Sequence, residues 1–158
     1  MKRPWNIPNL PVYSVATYDQ NGEVNMNIAT YVSAVSMQPK KIAVAIFKGT
    51  KSFENMLKNE EVVLQLLHAS QFNLIKKLGQ TSGYELNKFN YLNKKELLET
   101  WLKKPVLKNV SSRLLLKKMS YQETGDHWLY VFDVLKTKTF NQDYLDTSTL
   151  SEKKIIRI

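Results

Sequence analysis

The chain has 158 residues, a formal net charge of +9, and a composition that is 43% hydrophobic and 23% charged. It is long enough for one domain over residues 1–158 with a sizeable core, and it has no apolar run near the ~20 residues that span a bilayer. Zero cysteines exclude disulfides, Cys-ligated zinc, iron–sulfur clusters and thiol catalysis, and with His68 and His127 as the only histidines no metal site is expected.

The N-terminus, MKRPWNIPNLPVY, lacks the apolar core of a signal peptide, so a cytoplasmic protein is the expectation. Its three prolines around Trp5 predict an extended arm packed by the tryptophan. Residues 12–19 are rich in β-formers, and Asn21-Gly22 supplies the positive φ of a tight hairpin. Residues 24–36 return as one long strand that can bend, with small residues (Ala29, Ser33, Ala34) leaving room beside it. After Gln38-Pro39, residues 41–48 form a near-continuous apolar strand expected to be buried on both faces.

Lys48-Gly49-Thr50-Lys51-Ser52 then opens a helix over 52–59, with Phe53, Met56 and Leu57 at helical spacing and Thr50 or Ser52 as cap. A strand, a lysine- and hydroxyl-rich loop and a helix start together make a seat for phosphate: lysines bring charge, hydroxyls donate, and the helix N-terminus adds free N–H groups. The same stretch also reads as an ordinary strand-to-helix turn. Residues 61–68 predict a core strand, and Ser70 a helix cap before Leu74, Ile75 and Leu78, with Gly79 as the stop. Residues 80–93 read as an ordered loop and 94–103 as helix by composition. Two long strands, 110–121 and 127–140, flank a turn at Gly125, and the tail KKIIRI reads as a last strand.

Strands dominate, the helices are short, and two hairpins argue for antiparallel pairing. The expected fold is mainly β, a small closed or split antiparallel barrel with a few short helices. The positive charge suits anionic partners, but the basic residues are scattered lysine doublets and arginine forks are few, so nucleic acid is not expected. No P-loop, dinucleotide fingerprint or Ser-His-Asp order is present. Asp126 and Asp133, seven apart on one hairpin, do not make a catalytic pair.

Several segments, in order, resemble the flavin-reductase-like group of FMN-binding split barrels. GEVNMNIATYVSAVSMQPKKIAVAIFKGTKSFENML is similar to that family's early hairpin, apolar strand and Ser/Thr-opened helix. Asn87-Lys88-Phe89 resembles its Asp-Lys-Phe element, and Gly125-Asp126-His127 through Val134 its late hairpin. The resemblance covers about residues 8–140 and implies a homodimer holding one FMN per subunit near the interface, with NAD(P)H as co-substrate and a free flavin, ferric complex or acceptor protein receiving electrons. Carried over by position, Asn25, Ala29, Thr30 and Tyr31 lie by the flavin. Thr50, Lys51 and Ser52 hold the phosphate, and Lys88 and His127 approach from later loops. Each also has a plain structural reading: Asn25 as a strand start, Tyr31 as a sheet aromatic, Lys88 as surface charge, His127 as a turn histidine. No catalytic side chain is implied, because hydride delivery to a flavin needs stacking geometry rather than a protein base. Tyr31 stands where tryptophan is common, Asn87 where aspartate is common, and Phe132 where glycine is common. A bulky Phe132 would narrow the nicotinamide space, so a flavoredoxin-like electron carrier without NAD(P)H turnover is the alternative, and a basic nucleic-acid-binding barrel the third reading.

Overall fold

The computed structural model describes residues 4–6 and 9–157. In chain order the strands are β1 (Tyr13–Tyr18), β2 (Val24–Ala29), β3 (Val32–Met37), β4 (Lys40–Phe47), β5 (Glu61–Leu66), β6 (Leu98–Trp101), β7 (Lys104–Leu107), β8 (Ser112–Glu123) and β9 (His127–Thr139). The helices are α1 (Lys51–Lys58), α2 (Ile75–Gly79), α3 (Lys88–Lys94) and α4 (Thr147–Glu152). Seven strands form one sheet in the order β2-β1-β5-β8-β9-β4-β3, every neighbouring pair antiparallel, and β6-β7 make a separate antiparallel ribbon.

That order dictates the shape. The two edge strands, β2 and β3, are consecutive in sequence and separated only by Thr30 and Tyr31. From Ala29 to Val32 the chain spans no more than about 11 Å, so the sheet must roll until its edges meet there. The Ala45 amide donates to the Tyr31 carbonyl at 3.0 Å and fastens the junction to β4. No ladder joins β2 to β3 among the described residues, so the barrel is closed at one end and split along that seam.

Alternation along the strands makes two cores. On β1, Val15 faces the barrel interior and Ala16 the opposite layer; on β5, Val62 and Leu64 face inward while Val63 faces out. The interior is filled by Ile42, Val44, Ile46, Met56, Leu116, Tyr130 and Phe132. The outer core lies under α2, α3, the β6-β7 ribbon and α4, around Met26, Leu78, Leu92, Leu107 and Leu145. Antiparallel sheets often leave one face wet, and here the helices and ribbon cover most of the second face instead.

Several sequence expectations need correction. The long strand over 24–36 breaks at Thr30-Tyr31, and neither residue is a helix or turn breaker that a sequence pattern flags. The apolar strand over 41–48 buries Ile42, Val44 and Ile46 on one face, whereas on the other only Ala43 is buried, Ala45 is half-buried and Phe47 is exposed. The turn after β5 is capped by His68, whose Nδ1 accepts from the Ser70 amide at 3.2 Å, so Ser70 is not the cap. Within the loop expected over 80–93, Asn87 caps α3 by accepting from the Asn90 amide at 2.8 Å. The helix expected over 94–103 is instead β6 and a turn in which Leu102 and Lys103 both take positive φ. The tail is not a strand: α4 ends at Glu152, and Ile155 and Ile156 pack on the outer core. Trp5 is 78% exposed and packs no arm down, while residues 1–3, 7, 8 and 158 lie outside the described residues. No helix among the described residues is long and apolar enough to cross a membrane.

Candidate functional site

The closed end of the barrel carries a cleft of about 710 Å³. Its floor is small and apolar, because Ala43 and Ala45 of β4 and Leu129 of β9 turn their side chains away from the interior core. The junction residues Thr30 and Tyr31 and the start of β3, Val32 and Ser33, form one wall. Asp126 and His127 form another, and Trp5, Asn6 and Leu10 of the arm border the opening.

Tyr31 and His127 meet across this cleft with ring centroids 5.6 Å apart, tilted by 58°. Phe47 braces the other side of the imidazole edge-on at 5.4 Å. His127 Nδ1 lies 2.7 Å from the Asp126 carboxylate, which fixes the ring and, as the principal cause, holds the Asp126 carboxyl below the usual carboxylate range. The Tyr31 hydroxyl accepts from the Asn6 side-chain amide at 2.9 Å. Tyr31 is 47% exposed, so its ring face is available to a ligand.

The predicted phosphate loop follows β4 directly, and the Lys48 amide donates to the Asp126 carbonyl at 3.0 Å, joining the loop to the His127 turn. Thr50 is the cap of α1: its hydroxyl accepts from the Phe53 amide at 3.2 Å and donates to the Phe47 carbonyl at 2.9 Å. Ser52 is fully buried, and its oxygen accepts from the Asn25 side-chain amide at 2.9 Å. Thr50 Oγ1 is engaged both as donor and acceptor, whereas the Ser52 O–H, the Lys48 and Lys51 ammonium groups and the first-turn amides of Lys51 and Ser52, which have no partner within the helix, are the donors this loop can offer.

Residues 80–87 lie over this group. Gly83 sits so close that a Cβ there would come within 2.5 Å of Asn25 Oδ1 and 3.0 Å of Lys51 Cβ. Tyr84 anchors the segment to α1 through its hydroxyl, which donates to Glu54 at 2.7 Å. At its far end Lys88 is 4% exposed, and its ammonium donates to the Met26 carbonyl at 2.8 Å and the Leu78 carbonyl at 2.7 Å. Burial pushes its pKa down to about 8. Lys88 is therefore a buried staple between β2 and α2 rather than an open cation above a phosphate.

The structure thus brings Thr30, Tyr31 and His127 to one cleft, leaves Ala29 buried in the interior core, and brings Asn25, Thr50, Lys51 and Ser52 to one turn beside Gly83. Lys88 stands behind β2. Sequence reading missed Ala43, Ala45 and Gly83; the spaced alanines of KIAVAIF were a visible signal for the first two. Phe132 is fully buried in the interior core, its ring centroid 6.0 Å from that of Tyr130, and does not line this cleft.

A family model described as flavin reductase like domain matches residues 8–150. A sequence search of curated proteins gives no match. Among solved structures the fold is similar to an FMN-binding protein from Thermus thermophilus with bound 1-cyclohex-2-enone, with a TM-score of 0.76 and 19% identity over 88% of this chain and 75% of that one. It is also similar to the flavoredoxin of Methanosarcina acetivorans, at 0.77 and 17% over 90% of this chain and 75% of that one. The flavin reductase PheA2 in its native state superposes at 0.72 with 22% identity, over 87% of this chain and 84% of that one.

Proposed function

This chain belongs to the flavin reductase like domain family, and from that premise we propose that it binds FMN and acts as an oxidoreductase, taking electrons from NAD(P)H and passing them to an acceptor. The observation that carries the reading is the Tyr31–His127 pair above a floor of Ala43, Ala45 and Leu129. The donor set fits the cofactor. A flat ring with a polar edge needs apolar floor, aromatic flanks and nearby hydrogen-bonding groups, and the cleft offers these with Thr30 and Ser33 at its wall. A phosphate needs charge and free N–H groups, which Lys51 and the start of α1 offer.

When bound, FMN supplies a ring that accepts a hydride and releases electrons singly or in pairs. The chain's own residues bind and orient. Tyr31 and His127, packed against each other, border the ring together, and Asp126 fixes the imidazole. Lys51 neutralises phosphate charge. Asn25 and Ser52, engaged with each other, hold the loop in place. We also assign the working unit as a homodimer. β3 is an edge strand, and beyond Ser33 it exposes Val35 (53%) and Met37 (81%), apolar surface beside the cleft that a second copy would cover.

The test is to add FMN to the purified chain, remove the excess, record the visible spectrum, and then add NADH or NADPH without oxygen. A retained, perturbed flavin spectrum that bleaches supports the full reading. A retained spectrum that does not bleach supports an electron carrier of the flavoredoxin kind, and a colourless protein overturns the assignment.

A further inference from the structure

A second cleft, of about 410 Å³, lies away from the first, between the His68–Ser70 turn and the strand ends around Arg113 and Phe140. Its polar groups are oriented. The Ser70 amide donates to His68 Nδ1, so that nitrogen is an acceptor and the ring can donate only through Nε2. Asn141 Oδ1 accepts from the Asp143 amide at 3.1 Å, which leaves the Asn141 NH₂ as a donor. Arg113 has donors alone, and it is 2% exposed. Its Nη2 donates to the Glu99 carboxylate and the Leu107 carbonyl, but its buried Nε has no partner. The guanidinium carbon lies over the Phe140 ring, 5.0 Å from its centre, and Lys138 approaches the same ring at 5.1 Å. Ser70 and Asn109 complete the wall.

The internal bonds therefore engage the His68 Nδ1 and Asn141 Oδ1 acceptors and leave His68 Nε2 and the Asn141 NH₂ as donors in the lining, while the unmet Arg113 Nε lies buried beneath it. The one acidic side chain in the lining, Glu99, sits on the exposed β6 ribbon and is 44% exposed while the arginine it pairs with is buried. A buried guanidinium with an unmet N–H and an exposed counter-ion is under-satisfied for a buried charge.

We propose that this cleft is a second anion site, built to take a phosphate group against Arg113, His68 and Asn141. A tetrahedral phosphate offers acceptors on several sides, which suits donors converging from three chain segments better than the single edge of a carboxylate, a position that Glu99 already fills. The proposal does not depend on flavin binding. The phosphate can be free or carried as a monoester on a small molecule, and the experiment separates the two.

The experiment is a titration of the full chain, with saturating FMN and without it, with inorganic phosphate at constant ionic strength, followed by the side-chain N–H resonances of Asn109, Asn141 and Arg113. Saturable shifts at these groups, unchanged by FMN and absent with chloride or acetate, are expected. Asn141→Asp puts an acceptor in place of a donor on an exposed residue and should weaken binding about tenfold or more. Glu99→Gln removes the competing carboxylate and should tighten it, and phosphate should then raise the thermal midpoint of that variant. Glycerol phosphate binding more tightly than phosphate would assign the site to a monoester, and the reverse to the free ion; both support the site. Shifts that follow ionic strength alone, that acetate reproduces, or that neither variant alters would overturn it.

Discussion

Two sets of polar residues flank the closed end of the barrel, and they differ in what their hydrogen bonds do. Asn25, Ser52 and Lys88 are 5%, 0% and 4% exposed, and each is bonded to the protein itself. Tyr31 and His127 line an open cleft and meet each other as tilted rings. All five carry groups that a cofactor could use, yet only the second set lines the open cleft. The first set shapes the surface that the second presents. Burial with satisfied partners marks a positioning residue, and exposure beside an apolar floor marks a contacting one.

Breaking the buried set should cost stability first. Lys88→Met strands the carbonyls of Met26 and Leu78 in the outer core and should lower unfolding free energy by about 3 kcal/mol in a urea titration. The same pair of proteins sharpens the reading through pH. Folded Lys88 loses its proton near pH 8, whereas the unfolded side chain does so near about pH 10.4, so the folded state binds fewer protons across that window. Wild-type stability, less that of Lys88→Met, should therefore rise as pH goes from about 8 toward about 10. A difference that stays flat would show the ammonium to be unperturbed. The neutral amine keeps two N–H donors, which matches its two carbonyl partners.

Gly83→Ala comes next. The added methyl would press on Asn25 Oδ1 at 2.5 Å, so residues 80–87 must lift. FMN affinity should fall about tenfold, with a smaller change in thermal midpoint. Tyr31→Ala should invert the Lys88→Met pattern: the residue is 47% exposed, so stability should hold within about 0.5 kcal/mol while FMN affinity falls by about tenfold through the lost ring contact. The smallest effect belongs to Tyr84→Phe. It removes the exposed bond to Glu54 and should leave the melting curve unchanged while increasing amide exchange over residues 80–87. An equal loss of stability in Tyr31→Ala and Lys88→Met would erase the distinction between the two sets.

The antiparallel barrel was legible because its signals are local: Asn21-Gly22 and Gly125 mark hairpins, and the apolar runs mark strands. The positions that failed had no such mark. The break at Thr30-Tyr31 is imposed by the rolling of the sheet, which joins its edges there, and Thr and Tyr are good strand residues. Leu102 and Lys103 take positive φ without glycine or asparagine to announce it. KKIIRI has the composition of a strand, but its isoleucines only close the outer core after α4. At the site, the resemblance put Tyr31 by the flavin and brought His127 in from a later loop, and the two residues line one cleft. It could not foresee that the Lys88 amine turns inward, because the acceptors of Met26 and Leu78 come from segments distant in sequence.

The most direct test of the central claim is an FMN titration read by visible absorbance, made in parallel on the wild type, Tyr31→Ala and Tyr121→Ala. Tyr121 is a comparably exposed aromatic on β8 that does not line the cleft. The account predicts saturable binding with a perturbed flavin band, weakened about tenfold by the change at Tyr31 and untouched by the change at Tyr121. Binding that is absent, or that both substitutions weaken equally, would contradict the placement of the flavin in the Tyr31–His127 cleft.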